Sequence, residues 1–389
     1  MVGTRPGPLI LDSSHPLAIP REPTLMTTDA PGLVPTFVAA WAIVAAAALP
    51  VAGVLWLLAG RRPVFPRWRV VPFRGTLLDW LLLYGVYLVV MSLGIAGVAS
   101  TGWLEALTGR APPPLVRNPA VYETSLGGVG GAASAAAFRR DAANAGQLRQ
   151  MAASLIALPA LLAAAGVLRR VVHDARPGFD WRSLPGDVAR GAVAGVVLTP
   201  AVHAVYWLAK TANAALGGVE QEHPLAEGGV GDSPGGVALF LLAVCVVVPW
   251  IEELLFRGVL MRWLGRRASN AGLVFAVALL FAATRGVTLD PQAGPVGFVA
   301  VVALGTAAHG RRGAGRPHAR VRTVRAVLAT SALFAAAHSA VWPSPVPLFV
   351  LACGLGTLTV RTGRITAAVV AHGLFNAVSA AMLLRAPAG

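Results

Sequence analysis

Long apolar segments, separated by shorter polar ones, follow one another along most of this chain. Many approach the length of about 20 residues that a helix needs to cross a bilayer, and several are shorter. The pattern therefore predicts an all-α, polytopic membrane bundle of about 8–10 transmembrane helices. The apolar segments are Val34–Gly60, Leu77–Ala99, Met151–Leu168, Gly191–Leu208, Val237–Leu255, Ala271–Ala283, Pro295–Ala308, Ala326–Val341, Pro347–Val360 and Ile365–Leu384.

Composition supports a place in the membrane. Hydrophobic residues make up 56% of the chain, charged residues 13%, and the mean hydropathy is +0.67. Soluble domains carry about 25% charged residues. The net charge of +15 does not indicate nucleic-acid binding, because the arginines are spread over short loops and form no single basic face. The two cysteines both lie in apolar segments and suggest neither a disulfide nor a metal framework.

The distribution of arginine predicts the orientation of the helices. Basic loops follow every second apolar segment, while the loop around residues 217–235 is acidic. By the positive-inside rule, this alternation predicts ten crossings with the basic loops in the cytoplasm. We expect an integral protein of a bacterial inner membrane.

Three regions can be distinguished along the chain. Residues 1–32 have the composition of a disordered tail. Residues 33–236 carry N-terminal transmembrane helices and a long extramembrane loop at 101–150. Residues 237–385 form a C-terminal core, in which the segment 271–308 is predicted to be an extra helical hairpin. This hairpin weakly parallels the segment that follows it, by duplication or by chance similarity between alanine-rich helices.

The most informative polar group is the sequence Glu-Glu-Leu-Leu-Phe-Arg at 252–257, which ends an apolar segment. Glu253 and Arg257 are spaced i,i+4 in the order that favours an ion pair. Neighbouring helical residues point about 100° apart, so Glu252 and Glu253 are expected to face different partners. Glu252 then has no local countercharge, and it is the candidate general base. The alternative is a charged helix end at the bilayer surface.

Two further pairs have the same spacing on other predicted helices. Phe334 and His338 share one helical face, as do His372 and Asn376. A lone histidine in such a segment usually bonds a nearby backbone carbonyl, which is what we expect of His203. Polar groups on three separate helices would each be costly in hydrocarbon unless they satisfy one another. The pattern therefore predicts that the three helices converge.

The ordered motifs Glu-Glu-x-x-x-Arg, Phe-x-x-x-His and His-x-x-x-Asn resemble those of the CPBP family, the CAAX prenyl proteases and bacteriocin-processing (Abi) proteins. The resemblance covers about residues 237–379. It implies an intramembrane endopeptidase that acts on a membrane-associated or CAAX-like substrate. Glu252 and His338 would activate water, His372 and Asn376 would stabilise the oxyanion, and Glu253, Arg257 and Phe334 would support the site. The short distance of Glu252, His338 and His372 from the basic loops, counted along their helices, separately predicts a site open to the cytoplasm.

Two questions stay open at the level of sequence. Glu252, His338 and His372 could together hold zinc, although a metal-free, glutamate-driven mechanism is equally consistent and slightly favoured. The function could also be non-catalytic, as in a scaffold or immunity protein with the same fold. A transporter is a third possibility, suggested by the number of helices.

Overall fold

The computed structural model describes residues 33–60, 77–108, 132–172, 181–217, 233–267, 319–338 and 341–385. Within these ranges the chain is helical and contains no strand, as the all-α prediction requires. We number the helices α1 to α9. They span Leu33–Leu58, Leu77–Ser100, Trp103–Thr108, Ala132–Val172, Leu184–Ala215, Pro234–Arg267, Ala319–Ala337, Pro345–Thr362 and Thr366–Arg385.

Seven of the described helices are long and apolar enough to cross a membrane. They are α1, α2, α4, α5, α6, α8 and α9. Large apolar side chains on α1 and α2 are exposed, for example Leu58 and Leu93, which suits a surface that faces lipid. The predicted hairpin at 271–308 lies outside the described residues, so the total of 8–10 helices stays a prediction.

Helix α6 is continuous but irregular, and it passes through the centre of the bundle. It alternates between α-helical turns and two π-helical stretches, Ala243–Val247 and Leu254–Leu260. The short α-helical stretch between them, Val248–Glu253, begins with Val248-Pro249. Such π-helical turns occur often at functional sites. Glu252 and Glu253 therefore sit where the helix geometry changes.

Contacts between helix termini show which elements meet at one end of the bundle. Arg364, in the turn between α8 and α9, bonds Asp187 in the first turn of α5. The side chain of Arg262, near the end of α6, donates to the carbonyl of Gly363 in the same turn, at 3.2 Å. Gly363 has a φ of 72°, a left-handed conformation that ends α8. We call this the arginine end of the bundle.

The structure differs from the sequence prediction in the segment 101–150. A loop was expected there, but α3 occupies Trp103–Thr108 and α4 begins at Ala132. Residues 132–150 are rich in alanine, the strongest helix former, which outweighs their polar and glycine content. The third apolar segment is therefore the second half of a helix of 41 residues.

Candidate active site

The ion pair predicted from spacing is present, and both of its members are fully buried. The guanidinium Nη1 of Arg257 donates to Oε1 of Glu253 at 2.8 Å, and the side chains are 1% and 0% exposed. Arg257 also lies over the ring of Phe334, with its guanidinium carbon 4.6 Å from the ring centroid. A buried charge pair needs such extra contacts to offset its lost hydration. Arg257 therefore joins α6 to α7.

Glu253 has a second partner that its spacing does not reveal. Nδ1 of His372, on α9, lies 3.1 Å from the same Oε1 that binds Arg257. Nε2 of His372 lies 3.6 Å from Oε2 of Glu252. The expectation that the two glutamates face different partners is therefore wrong. The imidazole of His372 stands between them and presents one ring nitrogen to each carboxylate.

Glu252 also faces the second histidine. Nε2 of His338, on α7, lies 3.8 Å from Oε1 of Glu252. The side chain of Glu252 is 22% exposed and that of His338 is 35% exposed, whereas His372 is 4% exposed. A molecule that enters the site can therefore reach the pair Glu252–His338, while His372 forms the closed side. The predicted convergence of α6, α7 and α9 is present.

Phe334 occupies the centre of this group. Its ring lies edge-on to Phe256 and to His372, with centroids 5.3 and 5.8 Å apart. It is also tilted 4.8 Å from the ring of His338. Phe334 is 1% exposed. Because both imidazoles and Arg257 pack against one rigid ring, Phe334 restricts their rotation.

The side chain of Asn376 is held by the backbone of α6. Its Nδ2 donates to the carbonyl of Val244 at 2.8 Å. Because Pro249 has no N–H, it cannot donate the helical hydrogen bond to a carbonyl group in the turn before it. One turn of α9 earlier, Gly373 lies so close to the carbonyl of Cys245 that a Cβ atom would clash with it. Helix α9 therefore approaches α6 closely where α6 is irregular.

Hydrogen bonding indicates which nitrogen of each histidine carries a proton. Nδ1 of His338 lies 2.8 Å from the carbonyl of Phe334, which can only accept, so this nitrogen is the donor. Nδ1 of His372 faces a carboxylate that is already paired with Arg257, so it too donates. Both Nε2 atoms therefore point towards Glu252. In the neutral rings they are lone-pair acceptors.

Glu252, His338 and His372 carry atoms that are chemically suitable ligands for zinc. Within the described ranges, no three histidine, cysteine or acidic side chains are arranged to hold a metal ion. Nε2 of each imidazole lies 3.6–3.8 Å from a carboxylate oxygen of Glu252.

Sequence reasoning missed two features, one beside the site and one at the arginine end of the bundle. Tyr87 of α2 lies close enough to Glu252 for an electrostatic interaction. It belongs to an aromatic stripe at helical spacing in which Trp80 stacks on Tyr84 at 5.1 Å. That spacing was visible in the sequence. The bond between Asp187 and Arg364 was not predictable, because 177 positions separate the two residues.

His203 behaves as its sequence context predicts. Its Nδ1 lies 3.0 Å from the carbonyl of Thr199 on the same helix. Its ring packs among those of Phe37, Trp207 and Phe375. His203 is therefore a packed helix histidine.

Comparison with known proteins gives one family. Residues 234–312 and 310–378 match the family described as Type II CAAX prenyl endopeptidase Rce1-like. The chain matches no curated protein and no solved structure. The family is one of intramembrane CAAX-type proteases. The two matched stretches contain all three motifs, so the resemblance drawn from those motifs is confirmed, and residues 234–378 are similar to the Rce1-like endopeptidases.

Proposed function

We propose that this protein is an intramembrane endopeptidase that hydrolyses a peptide bond in a membrane-associated or CAAX-like protein. The observation that carries the proposal is the convergence of the two Nε2 atoms on Glu252, 3.6 and 3.8 Å away. Glu252 and Nε2 of His338 are both acceptors, and they repel one another unless a donor lies between them. A water molecule has two O–H groups and can bridge Glu252 and His338.

Activation of this water is assigned to Glu252, assisted by His338. The water oxygen attacks the scissile carbonyl carbon while Glu252 takes its proton. His338 receives a hydrogen bond from the water through Nε2, since its Nδ1–H is held by the carbonyl of Phe334. The proton then passes from Glu252 to the amide nitrogen, the C–N bond breaks, and a carboxyl and an amino terminus are formed.

Stabilisation of the oxyanion is assigned to His372 and Asn376. The amide nitrogen of Asn376 has two hydrogens, and the bond to Val244 uses one of them. The second hydrogen can reach the oxyanion. His372 donates through Nε2 when the ring is doubly protonated. Its ring is held in place by the bond from Nδ1 to Glu253, 3.1 Å away.

Glu253 gains a role beyond the ion pair with Arg257. By accepting the Nδ1–H of His372, it fixes the orientation of the ring, as a carboxylate does for a catalytic histidine in other hydrolases. Glu253 is therefore proposed as a positioning residue that acts through His372.

The proposal is tested with purified protein in liposomes and a prenylated peptide that ends in a CAAX sequence. A second peptide, unprenylated but with a transmembrane segment, covers the broader substrate class. We expect cleavage of at least one peptide, with the new termini located by mass spectrometry. Folded wild-type protein that cleaves neither peptide would favour a non-catalytic scaffold.

A further inference from the structure

A buried cluster of charges lies at the arginine end of the bundle, away from the catalytic residues. Asp187 of α5 is fully buried. It accepts bonds from Nε and Nη2 of Arg364, the second at 2.8 Å. Nη1 of Arg190 lies 3.2 Å from its Oδ1. Both oxygens of Asp187 are therefore used, and Arg364 binds them with its planar fork.

A bidentate bond between a guanidinium and a carboxylate fixes the geometry of the pair as well as stabilising it. Two parallel N–H···O bonds fix the relative height and rotation of the groups that carry them. Loss of one partner in a buried site leaves the other charge uncompensated. The bond between Asp187 and Arg364 thus fixes the turn between α8 and α9 against the start of α5.

Helix α9 begins two residues after Arg364, at Thr366. His372 follows eight residues after Arg364, about 12 Å along the helix at 1.5 Å per residue. Between the two, α9 lies directly on α5. A Cβ at Gly191 would come within 2.5 Å of the Ala367 carbonyl, and one at Gly195 within 3.1 Å of Ala371. This contact permits little lateral movement, and the bond between Arg364 and Asp187 adds a directional constraint on the axial position of α9.

The catalytic side of α9 requires a defined axial position. Nδ1 of His372 must stay within hydrogen-bonding distance of Glu253, which is 3.1 Å here. Asn376 must reach the Val244 carbonyl, which is 2.8 Å away. A displacement of about 1 Å in a catalytic group can cost roughly 100-fold in rate.

We infer that Asp187 and Arg364 are positioning residues of the active site, which set the height of α9 and hence the placement of His372 and Asn376. The inference rests on the proposed protease function. It assigns the N-terminal half of the chain, outside the family match, a specific part in catalysis through α5.

The test uses Arg364→Lys, which keeps the charge but lacks the fork. Asp187→Asn, which removes the charge, is the second variant. Arg322→Lys, at an exposed position on α7, is the matched control. We expect kcat to fall about 10-fold in Arg364→Lys with KM and the detergent melting temperature near wild type. Asp187→Asn should show a larger loss of turnover.

A double variant separates positioning from general weakening. If Arg364 acts through His372 and Asn376, Arg364→Lys should cause a smaller loss in a His372→Ala background than in the wild-type protein, because only Asn376 is left to be displaced. Full additivity of the two losses would overturn the inference, as would wild-type turnover in Arg364→Lys and Asp187→Asn.

A measurement that does not use activity distinguishes this inference from the proposed function. Protein labelled with ¹⁵N at histidine reports the Nδ1–H of His372 through its ring nitrogen shifts. Arg364→Lys should move the His372 signals and Arg322→Lys should not. Unmoved signals in Arg364→Lys would refute the positioning role. Moved signals in a protein that cleaves no peptide would refute the protease proposal alone.

Discussion

The two faces of helix α9 are packed by different means. Towards α6, the helix presents His372 and Asn376, which bond a carboxylate and a backbone carbonyl. Towards α5, it presents Ala367 and Ala371 against glycines. Polar groups buried in hydrocarbon must satisfy one another, so the α6 face needs exact partners. The α5 face needs close approach, which small residues permit. One side of α9 thus carries the site residues, and the opposite side fixes the position of the helix.

The largest effect should come from the α6 side. Glu252→Ala removes the proposed general base and should reduce peptide cleavage to the background level, because the neighbouring carboxylate of Glu253 is held by Arg257 and His372. The variant should fold, since Glu252 is partly exposed. Glu105→Ala on α3 is the control. Undiminished cleavage by purified Glu252→Ala protein would remove Glu252 from this role.

Loss of one oxyanion donor should have a smaller, finite effect. His372→Ala and Asn376→Ala should each lower kcat by about 100-fold. The loss is measured as initial rates under saturating peptide. If one variant retains wild-type turnover, the residue concerned does not contact the oxyanion.

Two glycine substitutions compare the faces directly. Gly373→Ala places a methyl group against the carbonyl of Cys245, and Gly191→Ala places one 2.5 Å from that of Ala367. Each should cost about 1–3 kcal/mol of stability through overpacking. Turnover should fall more in Gly373→Ala, because this residue adjoins His372. Gly97→Ala, with open space around its Cβ, is the control. Equal loss of turnover in the first two variants would contradict the division between faces.

The smallest expected effect is that of metal removal. With His338 and His372 as base partner and oxyanion donor, activity should survive exhaustive chelation and metal-free purification. Elemental analysis provides the independent check. Stoichiometric zinc that is lost in His372→Ala but retained in Asn376→Ala would replace the metal-free mechanism.

The sequence by itself determined the features that depend on local geometry. Apolar segments of near-membrane length predicted the described helices other than α3, and the i,i+4 period predicted the bond between Arg257 and Glu253. The three motifs indicated the family whose model matches residues 234–378. The helical segment before residue 151 was missed, because its polar residues obscured a high alanine content.

The tertiary structure decided which side chains meet between helices. His372 lies 119 positions from Glu253, and Arg364 lies 177 positions from Asp187. Such contacts depend on the height and rotation of each helix, which are set by packing between helices distant in sequence. The helical period specifies the face on which a residue lies, but it does not specify what that face meets. Hence the sequence predicted only Arg257 as the partner of Glu253, whereas the fold also brings His372 within hydrogen-bonding distance of it.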